Sequence, residues 1–105
     1  MPESLLGVVT ATAGVAPAYV ALIAEAWIDS AVRNGMPAPI AAKLVGASLR
    51  GASELLAEQQ MDTLAVRRAV TSPGGTTARG LRALEAGGLR SAFDDATDAV
   101  LGGGA

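Results

Sequence analysis

The segment from Leu5 to Ala24 contains no charged side chain, and this feature restricts the fold of the 105-residue chain most. Twenty uncharged residues are, in principle, long enough to cross a bilayer as a helix. The segment nevertheless contains Gly7, Gly14 and Pro17, much of its apolar content is alanine, and no Lys or Arg precedes it. These features are untypical of a signal peptide or a transmembrane helix. We therefore expect a buried core helix and no membrane partner.

The apolar side chains of the sequence are mostly small. Apolar residues make up 50% of the chain, but aromatic residues only 3%, so each buried side chain removes little area from water. A lone domain of this size buries only roughly two thirds of the surface of its unfolded chain. Small side chains also let helices approach closely, and a core of this kind is often completed by a second copy. We expect a homodimer.

Charge and residue types exclude several classes of function. The formal net charge is −2, and the eight basic residues are scattered from Arg33 to Arg90, so no dense basic face is available to nucleic acid. Cysteine and histidine are both absent, which removes disulfides, thiol nucleophiles, the usual zinc ligands and the commonest general base. The sequence therefore predicts no catalytic residue and no metal site. Any chemistry depends on hydroxyls, carboxylates, backbone amides or a bound group.

The periodicity of the apolar residues predicts an all-α fold of about five helices in one domain, residues 1–105. The predicted helices are Pro17–Arg33, Pro39–Gln59, Asp62–Val70, Thr76 or Thr77 to Ala86, and Leu89–Leu101. Asn34-Gly35 is the predicted stop of the first helix, and Asp62 is the predicted N-cap of the third. Gly46 and Gly51 lie inside the second of these helices, and each costs about 1 kcal/mol relative to alanine. We expect another helix to approach closely at these glycines. The chain has no alternating strand pattern of useful length and no internal repeat.

The loop Thr71–Thr77, with the sequence TSPGGTT, has the chemistry of an anion-binding site. Pro73 fixes one φ angle, and Gly74-Gly75 leaves backbone amides unscreened. A predicted helix follows directly, so its unpaired amides and the positive end of its dipole point to the same place. Four arginines and no acidic residue lie between Asp62 and Glu85. The loop therefore predicts a carboxylate or phosphate site. A tight helix-to-helix turn that binds nothing remains the alternative at this point.

The run from Val70 to Thr77 resembles the signature of the pyrroline-5-carboxylate reductases almost position by position. Further matching groups lie on both sides of it, so the likeness covers about residues 3–100. These groups are Thr10-Ala11, Pro17-Ala18-Tyr19, Glu25-Ala26, Gly35-Met36, Gly80-Leu81, Leu84-Glu85 and Gly87-Gly88-Leu89-Arg90.

The resemblance implies a helical bundle that intertwines with a second copy, with a substrate site near the dimer interface. In such an enzyme this site faces the nicotinamide of an amino-terminal Rossmann domain, and 1-pyrroline-5-carboxylate is reduced to L-proline in the cytoplasm. The loop holds the substrate carboxylate. Carried onto this sequence, Ser72 and Thr77 offer hydroxyls, Thr76 and Thr77 offer backbone amides, and Gly74 and Gly75 leave them accessible.

Two departures from the family pattern limit what the resemblance implies. Ala13-Gly14-Val15-Ala16 stands before Pro17 where the family usually has Ser-Gly-Ser-Gly, so two hydroxyls are missing. The chain also has no G-x-G-x-x-G after a strand, so we expect no cofactor in it and NAD(P)H only in a full-length parent. Alone, the chain should be inactive. The alternative is a stand-alone homodimeric binding or interaction module that kept the scaffold and lost the reductase activity.

Three further features have ordinary structural interpretations. Asp94-Asp95-Ala96-Thr97-Asp98 matches the D-D-x-x-D pattern of diphosphate-binding enzymes, but on a short terminal helix it is better read as a solvated acidic face. Glu25 in an apolar helix would suit a general acid, and a polar stripe along that helix explains it better. Trp27 and Tyr19 are expected to be core or interface anchors.

Overall fold

The computed structural model describes residues 5–71 and 75–102, and all regular structure within these ranges is helical. In this described part, six α-helices and one π-helical turn, Thr10–Gly14, follow one another along the chain. The α-helices are α1 (Leu6–Val9), α2 (Ala16–Arg33), α3 (Ala38–Glu58), α4 (Thr63–Val70), α5 (Thr76–Ala86) and α6 (Leu89–Gly102). The all-α prediction is confirmed, and the five predicted helices correspond to α2–α6. The short α1 and the π-helical turn were not predicted.

Local sequence signals mark the end of α2 and the start of α4, and the structure has these boundaries at the predicted residues. After α2 the chain turns at Asn34 and Gly35, and Gly35 adopts a φ of +103°, which a residue with a Cβ rarely adopts. At the start of α4, the Ala65 amide donates a hydrogen bond of 3.0 Å to Oδ1 of Asp62. Asp62 is therefore the N-cap that the sequence predicts.

The chain divides into two compact units. The first combines Met1–Pro17 with Thr71–Ala105; within it, α1 and the π-helical turn pack against α6, and so does α5. Ala11, in the π-helical turn, is 3% exposed. The second unit is Ala18–Val70, in which α3 packs against α4.

Burial within the chain is thin, as the small apolar side chains predict. Only Ala11, Ala41 and Val45 are fully buried among the described residues. Large apolar side chains of α3 stay open: Ile40 is 51% exposed and Leu44 52%.

The helical stretch Leu6–Arg33 is long and apolar enough, by length and composition, to cross a membrane, with a mean hydropathy of 1.8 in its most apolar part. Only 6% of that part is buried. The expectation of a buried core helix is therefore wrong for the single chain. The physical reason is that the described residues of one chain do not cover the apolar side chains of α2: Leu22 remains 63% exposed and Trp27 49%.

The interior glycines of α3 also lie open in the single chain. A Cβ built on Gly46 or on Gly51 would meet nothing within 4 Å. The expectation that another helix approaches closely at these glycines is therefore not met inside the chain.

Candidate functional site

The candidate anion site lies at the start of α5. Gly75 caps the helix with an extended backbone (φ −81°, ψ 178°), and no side chain caps it. The first helical hydrogen bond joins the Arg79 amide to the Gly75 carbonyl at 3.1 Å. The amides of Thr76 and Thr77 precede this bond and donate to no group among the described residues. Such unpaired amides at the positive end of a helix dipole are available to an anion.

Three of the five predicted site residues are consecutive at this helix start. Gly75 is half-buried, and Thr76 and Thr77 are exposed in the first turn of α5. The other two, Ser72 and Gly74, lie outside the described residues. The described part of the site therefore consists of one glycine, two threonine hydroxyls and the adjoining amides.

Thr71, the first residue of the loop, has a feature that sequence reasoning missed. Its hydroxyl oxygen is buried and has no hydrogen-bond partner in the described part of the chain. A buried hydroxyl without a partner is destabilising by about 1–3 kcal/mol. Only the position of Thr71 in the loop could have suggested this from the sequence, because burial depends on the tertiary fold.

The first turns of α5 carry positive charge. Nη2 of Arg79 donates to Oγ1 of Thr76 at 3.5 Å, which places a guanidinium beside the open amides. Near the other end of the helix, Nε of Arg90 donates to both carboxylate oxygens of Glu85, at 2.8 and 3.0 Å. The hydrogen bond to Glu85, followed by the charge of Glu85, raises the pKa of Arg90. Glu85 is the only acidic residue in α5. Its carboxylate is paired with Arg90 near the end of α5 that is distant from Gly75.

The remaining arginines of the predicted basic region are distributed over both units. Arg82 is exposed on α5, in the same unit as the loop. Arg67 and Arg68 lie in the last turn of α4, in the other unit. A contribution of α4 to the site remains a prediction.

A second feature, which sequence reasoning missed, is an apolar groove along α1 and the π-helical turn. Its cavity volume is about 290 Å³, and it is lined by Leu5, Val8, Val9, Thr12 and Ala13. The Thr12 hydroxyl donates to the Val8 carbonyl at 2.8 Å, so this hydroxyl is already used within the helix. The groove adjoins the segment Ala13–Ala16, where the sequence departs from the family pattern. In the sequence, the groove is indicated by the apolar residues Leu5, Val8 and Val9, which lie three to four residues apart.

The acidic pattern on α6 forms no cluster in the structure. Asp94, Asp95 and Asp98 are exposed, and no group of three acidic residues in the described ranges could hold a metal ion. This agrees with the interpretation as a solvated face. Glu25 is exposed on α2, which agrees with its interpretation as part of a polar stripe. Trp27 is exposed on the same helix and is not a core residue of the single chain.

The family description that matches this chain is "pyrroline-5-carboxylate reductase dimerisation", and the match covers residues 3–102. Among curated relatives, the chain is 43% identical to the pyrroline-5-carboxylate reductase of Synechocystis over 100 residues. It is 42% identical to that of Thermus thermophilus, also over 100 residues. In both comparisons 95% of this chain aligns with 38% of the relative.

Solved structures agree with the sequence comparisons. A pyrroline-5-carboxylate reductase from Coxiella burnetii superposes with a TM-score of 0.91 at 33% identity, over 97% of this chain and 38% of that chain. The pyrroline carboxylate reductase of Plasmodium falciparum, solved with NADP bound, gives a TM-score of 0.89 at 31% identity, over 96% of this chain and 38% of that chain. This chain thus spans less than half the length of the reductases that it matches. Because the family match covers nearly all of its residues, the chain belongs to the pyrroline-5-carboxylate reductase dimerisation family.

Proposed function

We propose that this chain is the dimerisation and substrate-binding part of a pyrroline-5-carboxylate reductase, which forms L-proline from 1-pyrroline-5-carboxylate in the cytoplasm. The observation that carries the proposal is the open helix start at Gly75–Thr77 in a member of this family. The backbone amides and the threonine hydroxyls at this helix start suit the carboxylate of a small cyclic imino acid.

In the proposed reaction, the residues of this chain bind and orient the substrate. The amides of Thr76 and Thr77 hold the carboxylate, with the Thr77 hydroxyl beside it, and Ser72 and Gly74 are proposed to complete the loop. Holding the carboxylate fixes the position of the C=N bond, and such positioning lowers the barrier to reaction. NAD(P)H supplies the hydride in a full-length parent. The chain alone offers no dinucleotide-binding motif, so we expect no turnover from it.

We further propose that a second copy of the chain covers the exposed apolar helices. A lipid bilayer is the competing environment for Leu6–Arg33, because this stretch is long and apolar enough to span one. The last three turns of α2 argue against it, since Glu25, Asp29 and Arg33 are spaced four residues apart along one exposed stripe. Charges at this spacing suit a helix with one face in water.

Chemical-shift titration of the labelled chain with L-proline, a stable carboxylate analogue of the substrate, tests the proposed site. We expect the amide signals of Gly75, Thr76 and Thr77 to move, with weak affinity because the rest of the reductase is missing. Gly75→Val should abolish these shifts, since its branched side chain screens the amides. Gly80→Ala, a matched glycine substitution in the same helix at an open position, should keep them. If these signals do not move at tens of millimolar proline, the proposed site is wrong.

A stand-alone homodimeric binding module is the second candidate function. The observation that favours it is the segment Ala13–Ala16, where hydroxyl side chains of the family pattern are absent and an apolar groove lies adjacent. The gene sequence distinguishes the two candidates. A natural reading frame that continues upstream into a Rossmann domain supports the reductase, and a frame that starts at Met1 supports the module.

A further inference from the structure

The turn that follows α2 joins an asparagine to a glycine, Asn34 and Gly35, and both residues are exposed. Asparagine is one of the thermolabile residue types, because the backbone nitrogen of the next residue can attack its carboxamide carbon. A glycine in the next position has no Cβ to hinder this attack. Asn34 is the only asparagine of the chain, so this chemistry is confined to one turn.

In the observed turn, hydrogen bonds hold both reacting groups. Nδ2 of Asn34 donates to the Ser30 carbonyl at 2.8 Å, which directs the carboxamide back along α2. The amide of Gly35, whose nitrogen is the nucleophile, donates to the Val32 carbonyl at 3.0 Å. The attack therefore requires both hydrogen bonds to open.

These two hydrogen bonds lie where a helix opens most easily. Their acceptors belong to the last turn of α2, and the last turn of a helix frays readily. The bond from Asn34 to Ser30 is exposed, so water competes for its donor and its acceptor. A Cβ added to Gly35 would meet nothing within 4 Å, so no described atom packs against this residue. The reacting groups are thus held by local hydrogen bonds alone.

We propose that Asn34 is a site of spontaneous deamidation in the folded chain, at a rate set by the opening of the last turn of α2. The Gly35 nitrogen forms a bond to Cγ of Asn34 and loses its proton. The bond from Cγ to Nδ2 breaks, and ammonia leaves with that proton. Water then opens the cyclic imide at either carbonyl, which gives aspartate or isoaspartate without any redox change. This inference is independent of the proposed function.

Deamidation changes the turn between α2 and α3 in two ways. A carboxylate cannot donate the hydrogen bond that Nδ2 of Asn34 gives to Ser30, and its negative charge lies at the negative end of the helix dipole. Isoaspartate also adds a carbon atom to the backbone. The added atom displaces the Met36 amide, which donates to the Ala31 carbonyl at 3.1 Å. The modification therefore loosens the connection between α2 and α3.

Peptide mass analysis of the purified chain tests this proposal. Trypsin cuts after Arg33 and after Lys43, and the peptide of residues 34–43 contains no amide side chain other than that of Asn34. The chain is incubated for days, folded in buffer or unfolded in guanidinium chloride, and acid formed at residue 34 is measured against a sample digested at the start.

We expect residue 34 of the folded chain to convert at a rate within about tenfold of the rate in the unfolded chain, because a helix end opens with little free energy. Asn34→Gln is the control for the chemistry. It keeps a carboxamide at the same exposed position but should give no acid over this time, since glutamine must close a larger ring.

Two glycine substitutions test whether the last turn of α2 sets the rate. Ser30→Gly lies in this turn and should speed the conversion about twofold or more, because glycine weakens the helix locally. Ser53→Gly is the matched control at an exposed position inside α3, and it should leave the rate unchanged. Circular dichroism of each variant confirms that the helix content is kept. The proposal is overturned if residue 34 of the folded chain stays unconverted when the unfolded chain has reacted, or if both glycine variants convert at the same rate.

Discussion

At the connection between α3 and α4, two consecutive residues other than glycine adopt left-handed backbone conformations, Gln60 with a φ of 53° and Met61 with a φ of 63°. The Met61 amide donates to the Leu56 carbonyl at 2.8 Å, so this conformation serves to close the end of α3. Left-handed conformations are unfavourable for most side chains by about 1–2 kcal/mol per residue. The turn therefore stores strain at a position where Met61 is 63% exposed and packs little.

Met61→Asn should raise the free energy of unfolding by up to about 1 kcal/mol, because asparagine tolerates this conformation better than methionine does. Urea denaturation at a fixed chain concentration measures the change. Gln59→Asn is the control, since Gln59 has a φ of −93° and should gain nothing. A loss of stability in Met61→Asn would show that the methionine side chain stabilises the fold in some other way.

Asp62→Ala should lower the free energy of unfolding by about 1 kcal/mol, because the substitution removes the N-cap of α4. The hydrogen bond from the Ala65 amide to Asp62 is then lost, and the amide has no side-chain acceptor. Asp62→Asn keeps an acceptor oxygen and should remain close to the unmodified chain in the same urea titration. Equal losses in both variants would indicate that the charge, and not the cap, matters.

Among the elements, the π-helical turn Thr10–Gly14 lies directly after α1, and both pack against α6. A π-helical turn accommodates one extra residue within a helix. In the observed register Ala11 is buried, and a Cβ added to Gly7 would lie 3.2 Å from a methyl carbon of Leu101. We infer that the extra residue sets the register in which α1 packs closely on α6.

Deleting Ala13 should convert the π-helical turn to α-helix and rotate α1 by about 100° relative to Ala16 and Pro17, the residues of the same unit that follow the turn. Gly7 then no longer faces Leu101, and we expect the free energy of unfolding to fall by more than about 1 kcal/mol. Ala13→Ser, which keeps the length, is the control and should have a small effect. Unchanged stability after the deletion would mean that the register of α1 is unimportant for the fold.

The sequence predicts the elements best where local chemistry marks their ends. Gly35 and Asp62 mark boundaries that the structure reproduces, because a left-handed glycine and a side-chain cap are local devices. The π-helical turn was not predicted, since the uncharged segment around it lacks such signals. The helix start at Gly75 was predicted for the same local reason, whereas the buried hydroxyl of Thr71 depends on tertiary packing and could not be.

On the scale of the whole molecule, the surface left exposed by one chain is the main consequence of its composition. Alanine, valine and glycine let helices pack closely but bury little area in a single copy, and α2 and α3 keep apolar surfaces open. The composition predicts that one chain buries little apolar area. It does not predict which helix faces stay exposed, because that depends on which side of each helix the chain covers. We attribute the exposed faces to contact with a second copy.

Sedimentation equilibrium of the purified chain at micromolar concentration tests this central claim most directly. The account predicts a dimer, with a thermal unfolding midpoint that rises with chain concentration because association and folding are linked. A well-folded monomer, with an unfolding midpoint independent of concentration, would contradict it.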